Sequence, residues 1–117
     1  MSNLLSGNFP LLSYRNINVN STGAVVKANK GGVFAMYVSN TGMAPAYLKL
    51  YDKATAPTSS DTPTHTLTLP AGSAIPWLIT DGIGFNTGIG IRAVTGVADN
   101  NTTSPGSNEV IVNIEYL

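Results

Sequence analysis

The side chains that could carry out acid–base or nucleophilic chemistry are few in this sequence and lie far apart. The single histidine, His65, follows Pro63-Thr64, and no Gly-x-Ser-x-Gly motif is present to supply a nucleophile. A catalytic histidine needs a nucleophile or an orienting carboxylate beside it. We therefore interpret His65 as a histidine at the exposed edge of a strand, and not as a catalytic base.

The carboxylates show no pattern typical of an active site. They are Asp52, Asp61, Asp81, Asp99, Glu109 and Glu115. Hydrolysis of a glycosidic bond requires two carboxylates that face each other across a cleft, and none of these residues is paired at short spacing. Asp81 precedes Gly82 in a predicted turn, and Glu115 lies on the outward face of the last predicted strand. We expect no enzymatic activity.

Sites for metals and cofactors are not predicted either. Asp99, Asn100 and Asn101 offer oxygen atoms of the kind that bind calcium, but their spacing is that of an Asx-rich turn and not of a calcium loop. The chain has no cysteine, which excludes disulfides and thiolate metal sites. No phosphate-binding glycine loop precedes a helix. We therefore expect no cofactor.

Four side chains are candidates for an interaction surface on the folded domain. Tyr47 and Tyr51 flank Lys49 on the outward face of a predicted strand, and Trp77 lies on a second one. Aromatic faces can anchor a protein partner or stack on a sugar. The same side chains can instead be half-buried under the polar loop 52–64. The sequence leaves all three interpretations open.

The elements that must position these residues are short β-strands. Runs rich in β-branched and aromatic residues alternate with turns that contain glycine and proline. The predicted strands span 11–19, 24–28, 33–39, 46–51, 65–69, 75–79, 88–94 and 109–116, with a short segment at 83–85. This spacing favours an all-β antiparallel sandwich. An eight-stranded jelly roll is the expected topology, and another Greek-key sandwich remains an alternative.

Several residues refine this prediction. The strand 33–39 is apolar on both faces and is expected to be central. Pro76 marks its strand as an edge strand, and Asp81-Gly82 is predicted to be a turn. Gly88 and Gly90 fall on one face of their strand, where they would let another segment pack close to the backbone.

Residues 11–117 are expected to form one domain, preceded by an N-terminal arm at 1–10 that contains Leu4, Leu5 and Phe9. Only 10% of the chain is charged, and its formal net charge is zero. This balance argues against nucleic acid or an anionic membrane as a partner. No signal peptide and no apolar run of roughly 18 residues is visible, so we expect synthesis in the cytoplasm and no membrane association.

Short blocks of this sequence resemble small structural proteins of tailed bacteriophages. They are Ala46-Tyr47-Leu48-Lys49-Leu50-Tyr51-Asp52-Lys53-Ala54-Thr55-Ala56-Pro57, Asp61-Thr62-Pro63, Leu69-Pro70-Ala71-Gly72, the segment 82–89 and the segment 108–116. The resemblance covers roughly residues 30–117 and is weaker before residue 30. It consists of short blocks and includes no catalytic motif.

The resemblance implies a virion protein of the capsid decoration, or cement, type. Proteins of that kind often have a jelly-roll fold and often sit as trimers on the outside of the capsid, where they clamp adjacent major capsid proteins. The implied partners are therefore the major capsid protein and further copies of the chain, at the surface of the virion. The alternative is a carbohydrate-binding or host-adhesion module of a phage head or tail fibre, with Trp77, Tyr47 and Tyr51 as stacking platforms.

The predicted arm gives a direct test of attachment. Deletion of residues 1–10 should weaken binding to capsids but leave folding intact, because the apolar side chains of the arm would become ordered only on docking. Co-sedimentation with empty heads and circular dichroism measure the two properties. If the truncated chain binds heads as well as the full chain does, the arm has no role in attachment.

Overall fold

Eight β-strands account for the regular structure of residues 10–117. A computed structural model describes residues 10–117, and that part of the chain contains no helix. The strands are β1 (Leu12–Asn16), β2 (Ala24–Lys27), β3 (Gly31–Asn40), β4 (Ala46–Asp52), β5 (His65–Leu69), β6 (Ser73–Phe85), β7 (Ile89–Val94) and β8 (Val110–Tyr116). The apolar residues of the predicted arm, Leu4, Leu5 and Phe9, lie outside the described residues.

The strands pair as a nested series. β1 pairs with β8, β2 with β7, β3 with β6 and β4 with β5, all antiparallel. Two further pairs, β3–β8 and β4–β7, join these ribbons into a first sheet of order β1-β8-β3-β6 and a second sheet of order β2-β7-β4-β5. A long hairpin rolled up in this way has the connectivity of a jelly roll. The predicted antiparallel sandwich is confirmed.

The hydrophobic core lies between the two sheets, and strand alternation builds it. In β8, Val110, Val112 and Ile114 are buried, whereas the residues between them are partly exposed. Leu48 and Leu50 of β4 contribute from the second sheet. A slip of one residue would bring the polar residues of β8 between the sheets, so this alternation determines the register. β3 lies between β8 and β6, as its apolar faces predicted.

Strand β6 is longer than predicted. It forms an edge of the first sheet, as Pro76 indicated. The predicted turn at Asp81-Gly82 is wrong, because both residues lie within β6, whose pairing with β3 shifts register and then continues. Gly82 has a φ of 80°, and a Cβ there would lie 2.8 Å from the ring of Phe34. The glycine therefore accommodates an irregularity in the strand and not a reversal of the chain.

Two glycines at the start of the β7 segment let a loop pack against the backbone. A Cβ on Gly88 would lie 2.6 Å from the Cα of Ala54, and a Cβ on Gly90 would lie 2.9 Å from the Cδ of Pro57. Both distances are well below an ordinary carbon–carbon contact. The prediction that these glycines permit close packing is confirmed, and Pro57 is buried as a result.

This contact predicts a large difference between two glycine substitutions. Gly88→Ala should lower the free energy of unfolding by about 1–3 kcal/mol, because the added methyl group meets backbone atoms that must move. Gly84→Ala is the matched control, since a Cβ at Gly84 meets no atom within 4 Å. Urea titration of both variants measures the effect. Equal losses of stability would contradict the close packing at Gly88.

Candidate functional site

The outer face of the second sheet is closed over by loops. Lys49 and Tyr51 of β4 lie on this face, yet only 0% and 1% of their surfaces are exposed. The prediction that they form an exposed face is wrong. Lys49 donates a hydrogen bond to the carbonyl of Ala98, which belongs to the loop between β7 and β8, and Pro57 of loop 52–64 packs nearby on β7. The alternative interpretation, that these side chains are buried under loop 52–64, is closer to the structure. The β7–β8 loop, which that interpretation did not include, also covers them.

A buried arginine ties this covering layer together. Arg92 of β7 is 1% exposed. Its Nε donates to the carbonyl of Ser21 at 2.9 Å, its Nη1 to the hydroxyl of Tyr51 at 3.0 Å and its Nη2 to the carbonyl of Asn101 at 3.0 Å. The guanidinium therefore joins the β1–β2 loop, strand β4 and the β7–β8 loop.

Lys49 lies directly opposite Arg92 in the ladder between β4 and β7. Burial lowers the pKa of Lys49, the positive charge of Arg92 lowers it further, and the charge of Asp99 acts in the opposite direction. Among residues 10–117, the one ion pair joins Lys53 and Asp61 at 2.7 Å. Two cations are thus buried side by side with neutral oxygen atoms as their hydrogen-bond acceptors.

The other two predicted surface aromatics are less exposed than expected. Trp77 is partly buried and packs against the core, with its ring centroid 6.2 Å from that of His65 on the facing edge strand. Tyr47 is also partly buried, opposite Thr68 and Val94 of the neighbouring strands. An open stacking platform for a sugar does not form from Tyr47, Tyr51 and Trp77.

Four of the six carboxylates, those of Asp52, Asp61, Glu109 and Glu115, accept hydrogen bonds from the backbone or from neighbouring polar side chains. The carboxylate of Asp52 accepts hydrogen bonds from the backbone N–H groups of Asn86, Thr87 and Gly88, in the turn before β7. These hydrogen bonds lower the pKa of Asp52, and the one from Thr87 has the largest effect. The pKa of Asp61 is also lowered, and the main cause is the hydrogen bond that its carboxylate accepts from Lys53. Within the described part of the chain, no group of three or more His, Cys, Asp or Glu side chains is placed to hold a metal ion.

The outer face of the first sheet, in contrast, is open and partly apolar. Tyr37 of β3 pairs with Pro76 of β6, and Ala35 pairs with Leu78. Tyr37 is 51% exposed and Leu78 is 82% exposed. These residues border a shallow groove of about 220 Å³, which Glu115 of β8 also lines. We call this surface the open face.

Sequence reasoning did not single out Arg92, Tyr37 or Leu78. A signal for Leu78 was present, because period-two alternation puts Leu78 on the opposite face from Trp77, and only one of the two can point into the core. For Arg92 the signal was its place among buried Gly and Ile residues in β7. Two of its hydrogen-bond partners, Ser21 and Tyr51, come from distant parts of the chain, which the pattern of a single strand does not reveal.

The burial of Lys49 predicts a dependence of stability on pH. Its pKa is lowered in the folded protein from 10.5, the usual value for a lysine side chain. At pH values between the pKa of Lys49 in the folded protein and its pKa in the unfolded chain, the unfolded chain binds more protons than the folded chain. The free energy of unfolding therefore rises with pH in that range. Lys49→Met, which removes the charge and keeps an unbranched side chain one atom shorter, should abolish this rise.

Urea titrations of wild type and Lys49→Met, from neutral pH to about pH 10, measure the effect. The stability of wild type relative to the variant should increase with pH. Because both proteins share every other titratable group, tyrosines included, those groups cancel in the difference. A difference that is constant or falls with pH would contradict the burial of this ammonium group.

Comparison with known proteins adds no relative. No protein-family model, no curated protein and no solved structure matches the chain. In the part of the chain that the structure describes, no helix has the length and apolar character needed to cross a bilayer. Function is therefore inferred from the sequence blocks between Ala46 and Tyr116 and from the two outer faces of the sandwich.

Proposed function

We propose that this chain is a structural virion protein of a tailed bacteriophage. In this proposal it is a capsid decoration protein, which binds the outside of the head as a homotrimer and stabilises contacts between major capsid proteins. The sequence blocks that resemble such proteins support the phage assignment and the trimer. The observation that carries the binding role is the open face.

The open face has the physical character of a protein-binding surface. Tyr37 and Leu78 project from adjacent strands, with Pro76 beside them in the ladder. Full burial of a leucine side chain contributes about 1.5–3 kcal/mol, and most of the surface of Leu78 is still exposed. A tyrosine in such a position offers a large apolar ring and a hydroxyl group that can find a partner at an interface.

The charge of the chain suits a role in a repeated assembly. Six basic and six acidic residues give a formal net charge of zero, so copies on a shell do not strongly repel each other. A decoration protein makes the same contact many times, and each contact can therefore be modest, on the order of 1,000 Å². Several contacts per trimer then raise the overall affinity through avidity.

A charge on the open face should weaken attachment to heads. Leu78→Asp is expected to weaken binding by about tenfold or more, because an interface that covers this position would bury an unpaired carboxylate. Folding should be unaffected, since Leu78 projects into solvent. Co-sedimentation with empty heads of the phage that encodes the chain measures binding, and circular dichroism monitors folding.

Met43→Asp is the matched control, because Met43 is 99% exposed in the β3–β4 loop, away from the open face. It makes the same exchange of an exposed apolar side chain for a carboxylate, and binding should be unchanged. Full binding by Leu78→Asp would contradict the role of the open face. Failure of the wild-type chain to bind heads, or its absence from purified virions, would contradict the decoration role itself.

A further inference from the structure

The covered face of the second sheet buries two positive charges and no negative one. Arg92 and Lys49 are neighbours on adjacent strands, and both are almost completely inaccessible to solvent. Asp99 is the acid whose charge acts on Lys49, but it lies in an exposed part of the β7–β8 loop and forms no ion pair with it. Burying a cation costs several kcal/mol unless an anion compensates for the lost hydration. Within residues 10–117, the two buried cations have no anionic partner at ion-pair distance.

The hydrogen bonds of Arg92 do not use all of its N–H donors. A guanidinium group carries five N–H donors. Three of them are used, and their acceptors are two carbonyl groups and the hydroxyl of Tyr51. The other two N–H groups of Arg92 therefore have no hydrogen-bond acceptor among residues 10–117. Arginine typically binds carboxylate and phosphate groups through two parallel N–H bonds.

Arg92 also forms part of the wall of a cavity of about 320 Å³. Several hydroxyl-bearing residues line the same cavity: Ser21, Thr22, Thr58, Ser59 and Thr102. Most of the lining surface is apolar, and Ala56 and Pro57 belong to it. None of the described lining residues is acidic, although Thr58 donates hydrogen bonds to the carboxylate of Asp61. The volume falls at the lower end of the range for small-molecule sites.

We propose that this cavity binds a small anion through a carboxylate, phosphate or sulfate group. The oxygen atoms of that group accept hydrogen bonds from Arg92 and from the surrounding hydroxyl groups. The bound anion supplies the negative charge that the buried pair of cations lacks, and its apolar part, where it has one, contacts Pro57. This site is distinct from the open face and does not depend on the proposed function.

Titration of the full-length chain with inorganic phosphate, sulfate and acetate, followed by NMR, tests the site. Sodium chloride keeps the ionic strength constant, so that screening does not change during the titration. We expect saturable shifts of the backbone amides at residues 21–23, 58, 59 and 102 with at least one of the three anions. The order of affinities then distinguishes a tetrahedral from a planar ligand group. No saturable shift with any of the three would overturn the proposal.

A pair of neighbouring serine substitutions localises the binding without removing the hydrogen bonds of Arg92. Ser59 lines the cavity, whereas Ser60 is exposed and is not part of its lining. Ser59→Glu places a carboxylate in the cavity and should weaken anion binding by about tenfold or more. Ser60→Glu makes the same change of net charge one residue away and should leave the affinity nearly unchanged. Equal affinities in the two variants would place the binding elsewhere and overturn the proposal.

Discussion

Three hydrogen bonds from one buried guanidinium group hold together the layer that closes the second sheet. Arg92 connects the carbonyls of Ser21 and Asn101, which lie in different loops, to the hydroxyl of Tyr51 on the neighbouring strand. A planar arginine fork can bind three acceptors in fixed directions, which a lysine cannot do. The burial of Lys49 and the shape of the adjacent cavity both depend on the loops staying in these positions.

The two outer faces of the sandwich differ in physical character, although both belong to four-stranded antiparallel sheets. The outer face of the second sheet is covered by its loops, and the side chains of Lys49, Tyr51 and Arg92 on it are buried. The open face has no such cover and presents apolar side chains such as Leu78 to solvent. A covered face with a cavity suits a small ligand, whereas an open apolar face suits a macromolecule.

Most of the fold could be predicted from the sequence, because period-two alternation reports directly which side of a strand is buried. It placed Val110, Val112 and Ile114 of β8 correctly, and the proline in β6 correctly indicated an edge strand. Alternation does not say what lies over the outer side of a sheet. The burial of Lys49 and Tyr51 also depends on the β7–β8 loop, which returns from a distant position in the sequence, and no local pattern records that return.

Trp77 and Gly82 show a second limit of local patterns. In β6 both faces carry apolar residues, so alternation alone does not decide whether Trp77 or Leu78 points inward. The pairing of β6 with β3 decides it, and that pairing is a long-range contact. Asp81-Gly82 has the composition of a turn, but a glycine with positive φ serves equally well within an irregular strand. The composition therefore correctly indicated an unusual backbone conformation at Gly82, but not that it lies within a strand instead of a turn.

The nested pairing of the strands also has a consequence for how the chain reaches its native state. β4 and β5 are joined by one loop and can form a hairpin early, whereas Ser13 of β1 and its partner Glu115 of β8 are 102 residues apart. Strand β8 also lies between β1 and β3. The first sheet therefore cannot be completed on the ribosome until β8 has emerged, and the high contact order predicts slow folding. Until then, β3 exposes one of its hydrogen-bonding edges, which makes the nascent chain prone to aggregation until β8 has emerged.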